Sequence, residues 1–414
     1  MISSGTAHKR FASKAVPFLT LLAVTALFRS SQNAFQTTIG PIGYAVLNLS
    51  PSVIGVGIAI AGGLTTLVNV ILAVRLRTSR LHMTGLIGIF ALALAIVVIV
   101  VGDNTTSFII SGVIFGSAGG MVMPVLATLA GRVEGVARDR AISAYTVALS
   151  ASLAVGPFFE SVVLSVNHDS LKGGLLSFLP FPLLALLLFG SLRRSIKPPR
   201  SSGEMPLPSK RLAKNPHFRL AVVSLLLYQV PFIAVTAFGA LIAHYEYGAT
   251  VALAQLSFTV FFLVSLVTRS MLVWRHPGER EGLMLRFSAL LTFAGTLVLA
   301  VGHHLIFLFA AMILLGVPHG LVYPLAISTV ARTIPPRDVP RANAAMSAAT
   351  SAASVISPLI LGEIASLFGY SAISLLTLVP IFVLGIWLFL LNPNRSRATN
   401  GVNNDPADPS KTLS

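Results

Sequence analysis

The sequence contains no cysteine and few charged residues. Without cysteine the chain forms neither disulfide bonds nor thiolate metal sites, although this absence does not identify a redox compartment. Only 10% of the 414 residues are charged, whereas 55% are hydrophobic, and the mean hydropathy is +0.85. Because a bilayer of roughly 30 Å needs runs of about 20 apolar residues per spanning helix, this composition predicts an all-α integral membrane protein.

Acidic residues are the scarcest charges, with 13 Asp and Glu against 29 Lys and Arg and a net charge of +16. In a soluble protein this excess would indicate a nucleic-acid partner. Here every lysine and arginine except Arg29, Lys172 and Arg269 lies in the tails, in a central segment, or at one side of the predicted spans. By the positive-inside rule, that side and both termini are expected to be cytoplasmic. The basicity then reflects topology and attraction to anionic lipid, and no nucleic-acid partner is expected.

Several chemical motifs are also missing. No Walker motif occurs, so no ATP site is expected. No nucleophile, base and orienting group occur together, so the chain is not expected to be an enzyme. His319 has no second histidine or acid at ligand spacing, so we expect neither a metal site nor a cofactor.

The apolar runs predict twelve transmembrane helices. We place them at residues 16–40, 52–74, 83–102, 107–131, 141–165, 173–192, 217–243, 251–274, 283–302, 304–331, 342–367 and 370–392. The predicted domains are a cytoplasmic tail (1–15), a six-helix bundle (16–192), a basic cytoplasmic linker (193–216), a second six-helix bundle (217–392) and a cytoplasmic tail (393–414). The first run is too long for a signal-peptide core, so we expect it to be retained.

The two halves resemble each other. VIFGSAGGMVMPVLATLAGRV, at 113–133, matches ILLGVPHGLVYPLAISTVART, at 313–333, at an offset of 200. The matched residues include Gly116 with Gly316, Gly120 with Gly320, Pro124 with Pro324 and Arg132 with Arg332. Fixed-period similarity indicates an internal repeat, and two similar membrane halves are typical of transporters.

This organisation resembles the major facilitator superfamily. TTIGPIGYAVLNLSPSVIGVGIAIAGG, at the end of span one and into span two, and SASLAVGPFF, with Gly156 and Pro157 in span five, are most like the drug:proton antiporter branch. The resemblance implies two pseudo-symmetric six-helix bundles. It also implies alternating access and proton-coupled efflux of small organic compounds. The loop VRLRTSRL departs from the family pattern because it has no Gly or Asp before its arginines.

Residues with polar side chains inside spans are the main site candidates, because an ionised group at mid-helix costs about 2.5 to 3.5 kcal/mol. Arg29, Gln32 and Asn33 share one face of span one, and the resemblance places that face on the central cavity. Gln229, beside Tyr228, occupies the matching position in span seven. A cavity arginine binds carboxylate or phosphate. The alternative is an ion pair with Glu160 that only orients helices.

Other embedded candidates lie in spans five, eight, ten and eleven. Glu160 in span five is a candidate for proton coupling, because a desolvated carboxyl binds protons more readily; a structural role is equally open. Glu363 is more simply explained as an interfacial residue. His319 and Tyr323 share a face of span ten. These residues either line the cavity or pack in the core. Arg269 is near enough to a helix end to extend into the interface.

Small residues and prolines are expected to serve helix packing and gating rather than binding. This set is Gly116, Gly120, Pro124, Gly156, Pro157, Gly316, Gly320 and Pro324. Pro318 and the glycines near it also predict a kink in span ten.

The leading functional prediction is a secondary active transporter that exchanges small organic compounds for protons. The first alternative is an organic-anion transporter with Arg29 as the counter-charge. The second, from a different class, is a transport-inactive membrane scaffold or sensor. The expected partners are a small-molecule substrate, protons and lipid, and the protein is expected to be a monomer in the cell membrane.

Overall fold

The computed structural model describes residues 4–75, 80–132, 136–192, 212–275, 278–336 and 338–391. Thirteen α-helices make up most of these ranges. They are α1 Ser4–Pro41, α2 Pro51–Arg75, α3 Leu81–Val101, α4 Thr105–Ala130, α5 Arg138–Val166, α6 Leu171–Leu176, α7 Pro180–Ser191, α8 Pro216–Tyr247, α9 Val251–Trp274, α10 Glu281–Val301, α11 Leu305–Thr333, α12 Val339–Phe368 and α13 Ser371–Leu390. A π-helical turn, Ile42–Val46, continues α1.

Twelve transmembrane helices in two six-helix bundles form the fold. Among the described residues, eleven segments are long and apolar enough to span a membrane by length and composition alone, and α6 and α7 count together as one of them. The remaining span is α1, whose Arg29, Gln32 and Asn33 lower its hydropathy. Most of the linker predicted at 193–216 and the tail predicted at 393–414 lie outside the described residues.

Ten of the twelve predicted spans agree with the helices to within four residues at each end, and the other two differ more. Helix α1 begins at Ser4 rather than at residue 16, because the preceding Ala-, Lys- and Arg-containing segment has good helix propensity. The sixth span is two helices, since α6 ends at Leu176 and α7 begins at Pro180. Proline has no N–H to continue the ladder of α6 but is well suited to the first turn of a new helix.

The repeat glycines make the same contact in both bundles. A Cβ on Gly116 or Gly120 of α4 would lie 2.2 or 2.7 Å from a backbone oxygen of α2. A Cβ on Gly316 or Gly320 of α11 would lie 2.6 or 2.7 Å from a backbone oxygen of α9. Small residues allow this approach, so the repeat pairs α4 with α2 and α11 with α9 in the same way.

Among the described residues, the main contacts between the two halves are made by three helix pairs, α1 with α8, α2 with α12 and α5 with α9. We call the side that carries Arg80, Arg132, Arg280 and Arg332 the arginine side, and the other side the closed side.

On the closed side the halves touch backbone to backbone. A Cβ on Gly55 of α2 would lie 2.3 Å from the carbonyl oxygen of Pro358 in α12. A Cβ on Gly40 of α1 would lie 2.7 Å from the carbonyl oxygen of Ala237 in α8. No side chain or water fits into such contacts, so the halves are sealed here.

Polar and aromatic contacts extend this seal to the surface. Ser52 Oγ donates a hydrogen bond of 2.7 Å to Glu363 Oε2 across the halves, and Glu363 is exposed. The rings of Tyr44, Tyr245 and Tyr370 pack together with centroids 5.3 to 5.5 Å apart. Tyr44 belongs to the first half and the other two tyrosines to the second.

Candidate functional site

A cavity of about 380 Å³ lies between the halves, above the closed side. Helices α1, α2, α4, α8, α11 and α12 line it. Its apolar walls include Phe35, Phe115 and Phe232. The polar lining residues are Arg29, Gln32, Gln36, Thr65, Thr66, Gln229, Thr236, Tyr323, Thr350, Ser351 and Ser354. Because Tyr323 is 55% exposed and the other end is sealed, the cavity opens toward the arginine side.

Arg29 lies in the cavity wall without an acidic partner among the described side chains. Its Nη1 donates a hydrogen bond of 2.7 Å to Gln32 Oε1, and Tyr145 of α5 lies within its electrostatic range. The alternative ion pair with Glu160 is wrong. Glu160 of α5 accepts a hydrogen bond from Thr38 of α1, and Thr38 lies more than two helical turns from Arg29, about 14 Å along α1 at 1.5 Å per residue.

Asn33 faces α5 rather than the cavity. Its Nδ2 donates a hydrogen bond of 3.1 Å to the Leu153 carbonyl, and Ser30 Oγ donates one of 3.3 Å to the Ser152 carbonyl. Gly156 allows this contact, because a Cβ there would lie 3.1 Å from the Ser30 carbonyl oxygen. The polar stripe of span one therefore divides between the cavity and the α1–α5 contact.

Glu160 is fully buried on the closed side of the cavity. Thr38 of α1 donates a hydrogen bond to its Oε1, and Gln255 Nε2 of α9 donates one of 3.3 Å to Thr38 Oγ1. Glu160 Oε2 and Gln255 Oε1 are both buried and have no hydrogen-bond partner among the described residues. We call these three residues the Glu160 cluster; it joins α1 and α5 of the first half to α9 of the second.

His319 lies behind the cavity wall in an aromatic cluster. Tyr228 is hydrogen-bonded to its Nδ1. The ring centroid of His319 lies 4.7, 5.1 and 5.6 Å from the ring centroids of Phe232, Phe261 and Phe262, respectively. Neither His319 nor Tyr228 lines the cavity, although Phe232 does. The helix that contains His319, α11, runs without interruption through Pro318 and Pro324, and the kink predicted for this span stays a prediction.

Two neighbouring candidates do line the cavity. Gln229 of α8 donates a weak hydrogen bond of 3.4 Å to Ser354 Oγ, and Tyr323 of α11 lies at the cavity mouth. Gln229 is the repeat counterpart of Arg29, so the same position of each half faces the cavity.

Arg269 does not line the cavity but lies at the contact between the two halves, and not at the membrane interface as its sequence position predicts. Its Nη1 donates a hydrogen bond of 2.8 Å to Ser150 Oγ of the other half, and its Nη2 donates one of 3.3 Å to the His319 carbonyl. Its side chain therefore extends inward to the centre rather than outward to the interface. The repeat register offered a signal, because Arg269 aligns with Asn69, also polar within a long apolar segment.

No group of three or more His, Asp and Glu side chains that could hold a metal ion occurs within the described ranges.

Two helical bundles around a central cavity that opens on one side define a membrane transport protein. A sequence profile of the Major Facilitator Superfamily matches residues 20–275 and 220–413. The chain belongs to this superfamily.

Solved structures of very different sequence share the fold. The nucleoside transporter NupG is 12% identical, with 91% of this chain and 98% of NupG covered and a TM-score of 0.71. A bacterial homologue of the human lysosomal transporter Spinster, in an inward-facing and occupied conformation, is 12% identical over 92% and 97% of the chains, with a TM-score of 0.71. The peptide transporter POT in complex with sulfate is 14% identical over 92% and 95%, with a TM-score of 0.72. No curated protein matches this chain by sequence.

Proposed function

We propose that this protein is a secondary active transporter that moves small organic anions by alternating access and exchanges them for protons. The observation that carries the proposal is the cavity position of Arg29 with no acidic partner among the described residues. A half-buried guanidinium without a counter-charge is costly. A substrate carboxylate would supply that charge through two parallel hydrogen bonds.

The cavity shape supports an organic substrate rather than an inorganic ion. Phe35, Phe115 and Phe232 offer apolar surface, and the hydroxyl and amide groups of the lining offer hydrogen bonds. Ligand sites commonly combine mainly apolar walls with a few polar groups that fix orientation. A substrate with a carboxylate on an apolar body fits both features.

The closed side supports alternating access. Glycine-mediated contacts seal the two halves beyond the cavity. At the cavity mouth, in contrast, the side chain of Tyr323 is exposed, so the cavity is accessible from this side. With the arginine side in the cytoplasm, as the positive-inside rule favours, the cavity faces the cytoplasm. Rocking of the two halves would then expose the same cavity to the outside, a direction consistent with export.

The Glu160 cluster supports proton coupling. Glu160 has a hydroxyl partner and no cation among the described residues, and a buried ionised carboxylate without one is costly. Opening of the closed side would separate α5 from α9 and give this carboxyl access to water. Proton exchange could then accompany the movement of the halves.

The structural neighbours support transport but not a particular substrate. Proteins of this fold include transporters of nucleosides and peptides, and one of these structures was solved with sulfate bound. A bound anion in a protein of the same fold is compatible with an anion site here.

The test is a panel of carboxylic acids, each paired with its uncharged amide, added to the purified full chain. We expect some acids to raise the unfolding temperature more than their amides, and those acids to be exported from proteoliposomes when a proton gradient is imposed. If the amides stabilise the protein as well as the acids do, the anion proposal is wrong. If no compound crosses above protein-free liposomes, the scaffold or sensor alternative is favoured.

A further inference from the structure

A groove on the outer surface of the second bundle is separate from the central cavity. It lies between α10 and α13 and has a volume of about 410 Å³. Two small residues, Ala289 of α10 and Gly385 of α13, line it together with larger apolar side chains. A Cβ on Gly385 would meet no atom closer than 3.9 Å. The small residues therefore leave open space between the two helices.

The groove is apolar and as long as one leaflet is deep. Leu290, Phe382 and Ile386 line it and are exposed on the surface of the bundle. The rings of Phe293 and Phe382, with centroids 6.4 Å apart, join α10 to α13 within it. The lining part of α13, residues 381–390, is about 14 Å long at 1.5 Å per residue. This length is close to half of a bilayer core of roughly 30 Å, so a single acyl chain matches the groove in length and polarity.

Arg286 lies at the end of this groove on the arginine side. It precedes Ala289 and Leu290 by three and four residues, the spacing that places side chains on one face of a helix. Its Nη2 donates a hydrogen bond of 2.6 Å to the carbonyl oxygen of Leu391, the residue that follows the lining residue Leu390. The guanidinium therefore contacts both of the helices that form the groove.

The guanidinium of Arg286 retains capacity for a ligand. Of its five N–H donors, those of Nη2 reach the Leu391 carbonyl, and the buried Nε has no hydrogen-bond partner among the described residues. Arg286 is half-buried and lies five residues from the start of α10, about 7 Å along the helix axis. At that depth a long arginine side chain reaches the headgroup layer. The phosphate of a lipid lies in that layer, and arginine can bind it through two parallel hydrogen bonds.

The first half does not repeat this arrangement. Helices α3 and α10 match at an offset of 200 over their whole length, Leu81–Val101 with Glu281–Val301. In α3 the positions of Arg286 and Ala289 are taken by Leu86 and Ile89, and Ile89 is fully buried. A large side chain thus replaces the small one and an apolar side chain replaces the cation. The charged groove is a feature of the second half and not a consequence of the shared fold.

We propose that this groove binds one anionic phospholipid, with an acyl chain between α10 and α13 and the phosphate at Arg286. The headgroup is anionic because the site supplies a cation and, among the described residues, no acid to pair with a choline or ethanolamine group. Basic pockets between transmembrane helices on the cytoplasmic side favour such headgroups. With the arginine side in the cytoplasm, the groove faces the leaflet that contains most of the anionic lipid.

The test measures lipid binding to the purified full chain by native mass spectrometry. Dioleoyl phosphatidylglycerol and dioleoyl phosphatidylcholine have the same acyl chains and differ in headgroup charge. We expect the first phosphatidylglycerol to bind about tenfold to a hundredfold more tightly than the first phosphatidylcholine, the gain expected from charge-assisted hydrogen bonds. Inorganic phosphate at the same concentration should not compete, because it has no acyl chain. Equal affinity for the two lipids, or full competition by phosphate, would overturn the proposal.

Variants assign the preference to the groove. R286Q should bring the ratio of the two affinities close to one, and R286K should retain part of it, because lysine keeps the charge but not the planar fork. R80Q is the matched control, since it removes the same charge from the same side of the other half and should leave the ratio unchanged. G385F should weaken both lipids, because a phenylalanine side chain occupies the space left by Gly385.

A structural role of Arg286 gives different results. The last carbonyls of a helix have no partner within it, so Arg286 could serve only to satisfy the Leu391 carbonyl at the end of α13. In that case R286Q lowers the unfolding temperature without changing the lipid ratio, and the proposal is wrong. It is also wrong if R80Q lowers the ratio as much as R286Q, since the net charge alone then attracts the lipid. If R286Q does not fold, unchanged lipid affinity in G385F would still exclude the groove.

Discussion

Arg29 is held by Gln32 and by no carboxylate, so its removal leaves no acid behind in the described structure. We predict that R29Q lowers the affinity for carboxylate substrates about tenfold to a hundredfold, because a charge-assisted hydrogen bond contributes roughly 1.5 to 3 kcal/mol. Gln229 shows that glutamine is accepted at the matching position of the other half. Titration of the purified variant measures the loss. Unchanged affinity would mean that Arg29 does not bind the substrate.

Glu160 supports a prediction about coupling. Glutamine has nearly the same shape, keeps an acceptor for Thr38 and cannot exchange a proton. E160Q should therefore abolish transport driven by a pH gradient and leave exchange of substrate across the membrane without a gradient measurable. Both are measured in proteoliposomes with the parent as reference. If E160Q carries out gradient-driven transport at the parent rate, the role of Glu160 is structural.

Individual residues differed in how far sequence could predict them. Arg29, Gln32 and Glu160 stood out because charged and amide groups are rare inside apolar spans. The partners of Glu160 could not be predicted, because they lie on helices more than 90 residues away along the chain. The position of Arg269 does not follow from its distance to the helix end along the backbone, because its long side chain extends toward His319.

At the scale of helices, the close contact of α4 with α2 depends on Gly116. A Cβ there would lie 2.2 Å from the Ala61 carbonyl oxygen, a backbone atom that cannot move aside alone. We predict that G116V lowers the unfolding temperature, since overpacking costs about 1 to 3 kcal/mol. G190A is the control, because nothing lies within 4 Å of a Cβ at that exposed position. Equal unfolding temperatures for both variants would contradict this packing role.

Helix number and order followed from hydropathy, because each span needs its own apolar run. Boundaries were less accurate. The only sequence signal for the break before Pro180 is a proline inside an apolar run, where mean hydropathy hardly changes. It is harder still to predict from sequence which neighbour each helix face contacts. Asn33 is an example, because there are polar groups on both sides of α1 that it could contact.

At the scale of the whole molecule, the distribution of basic residues predicts topology. Reporter fusions after Asn104 and after His168 should be outside, whereas fusions after Arg138 and after Arg200 should be inside. Activity of paired periplasmic-type and cytoplasmic-type reporters gives the assignment. A reversed signal at any of the four sites would overturn the orientation.

The closed side gives a second prediction for the whole molecule. Ser52 and Glu363 are in hydrogen-bond contact across the halves, and the chain has no other cysteine to react. Treating the double variant S52C/E363C with a short bifunctional thiol reagent should stop transport and preserve substrate binding, because only opening of this side is blocked. Single variants treated alike are the controls. Continued transport after complete cross-linking would exclude rocking at this side.

The α5–α9 contact carries both the Arg269–Ser150 hydrogen bond and the Glu160 cluster. If substrate alters one and a proton alters the other, the two ligands are thermodynamically linked. The factor by which substrate changes proton affinity must then equal the factor by which protonation changes substrate affinity. The coupling strength can therefore be measured from equilibrium binding at several pH values, with no membrane and no gradient. A substrate Kd that is independent of pH would mean that the two contacts open separately and that substrate moves without protons.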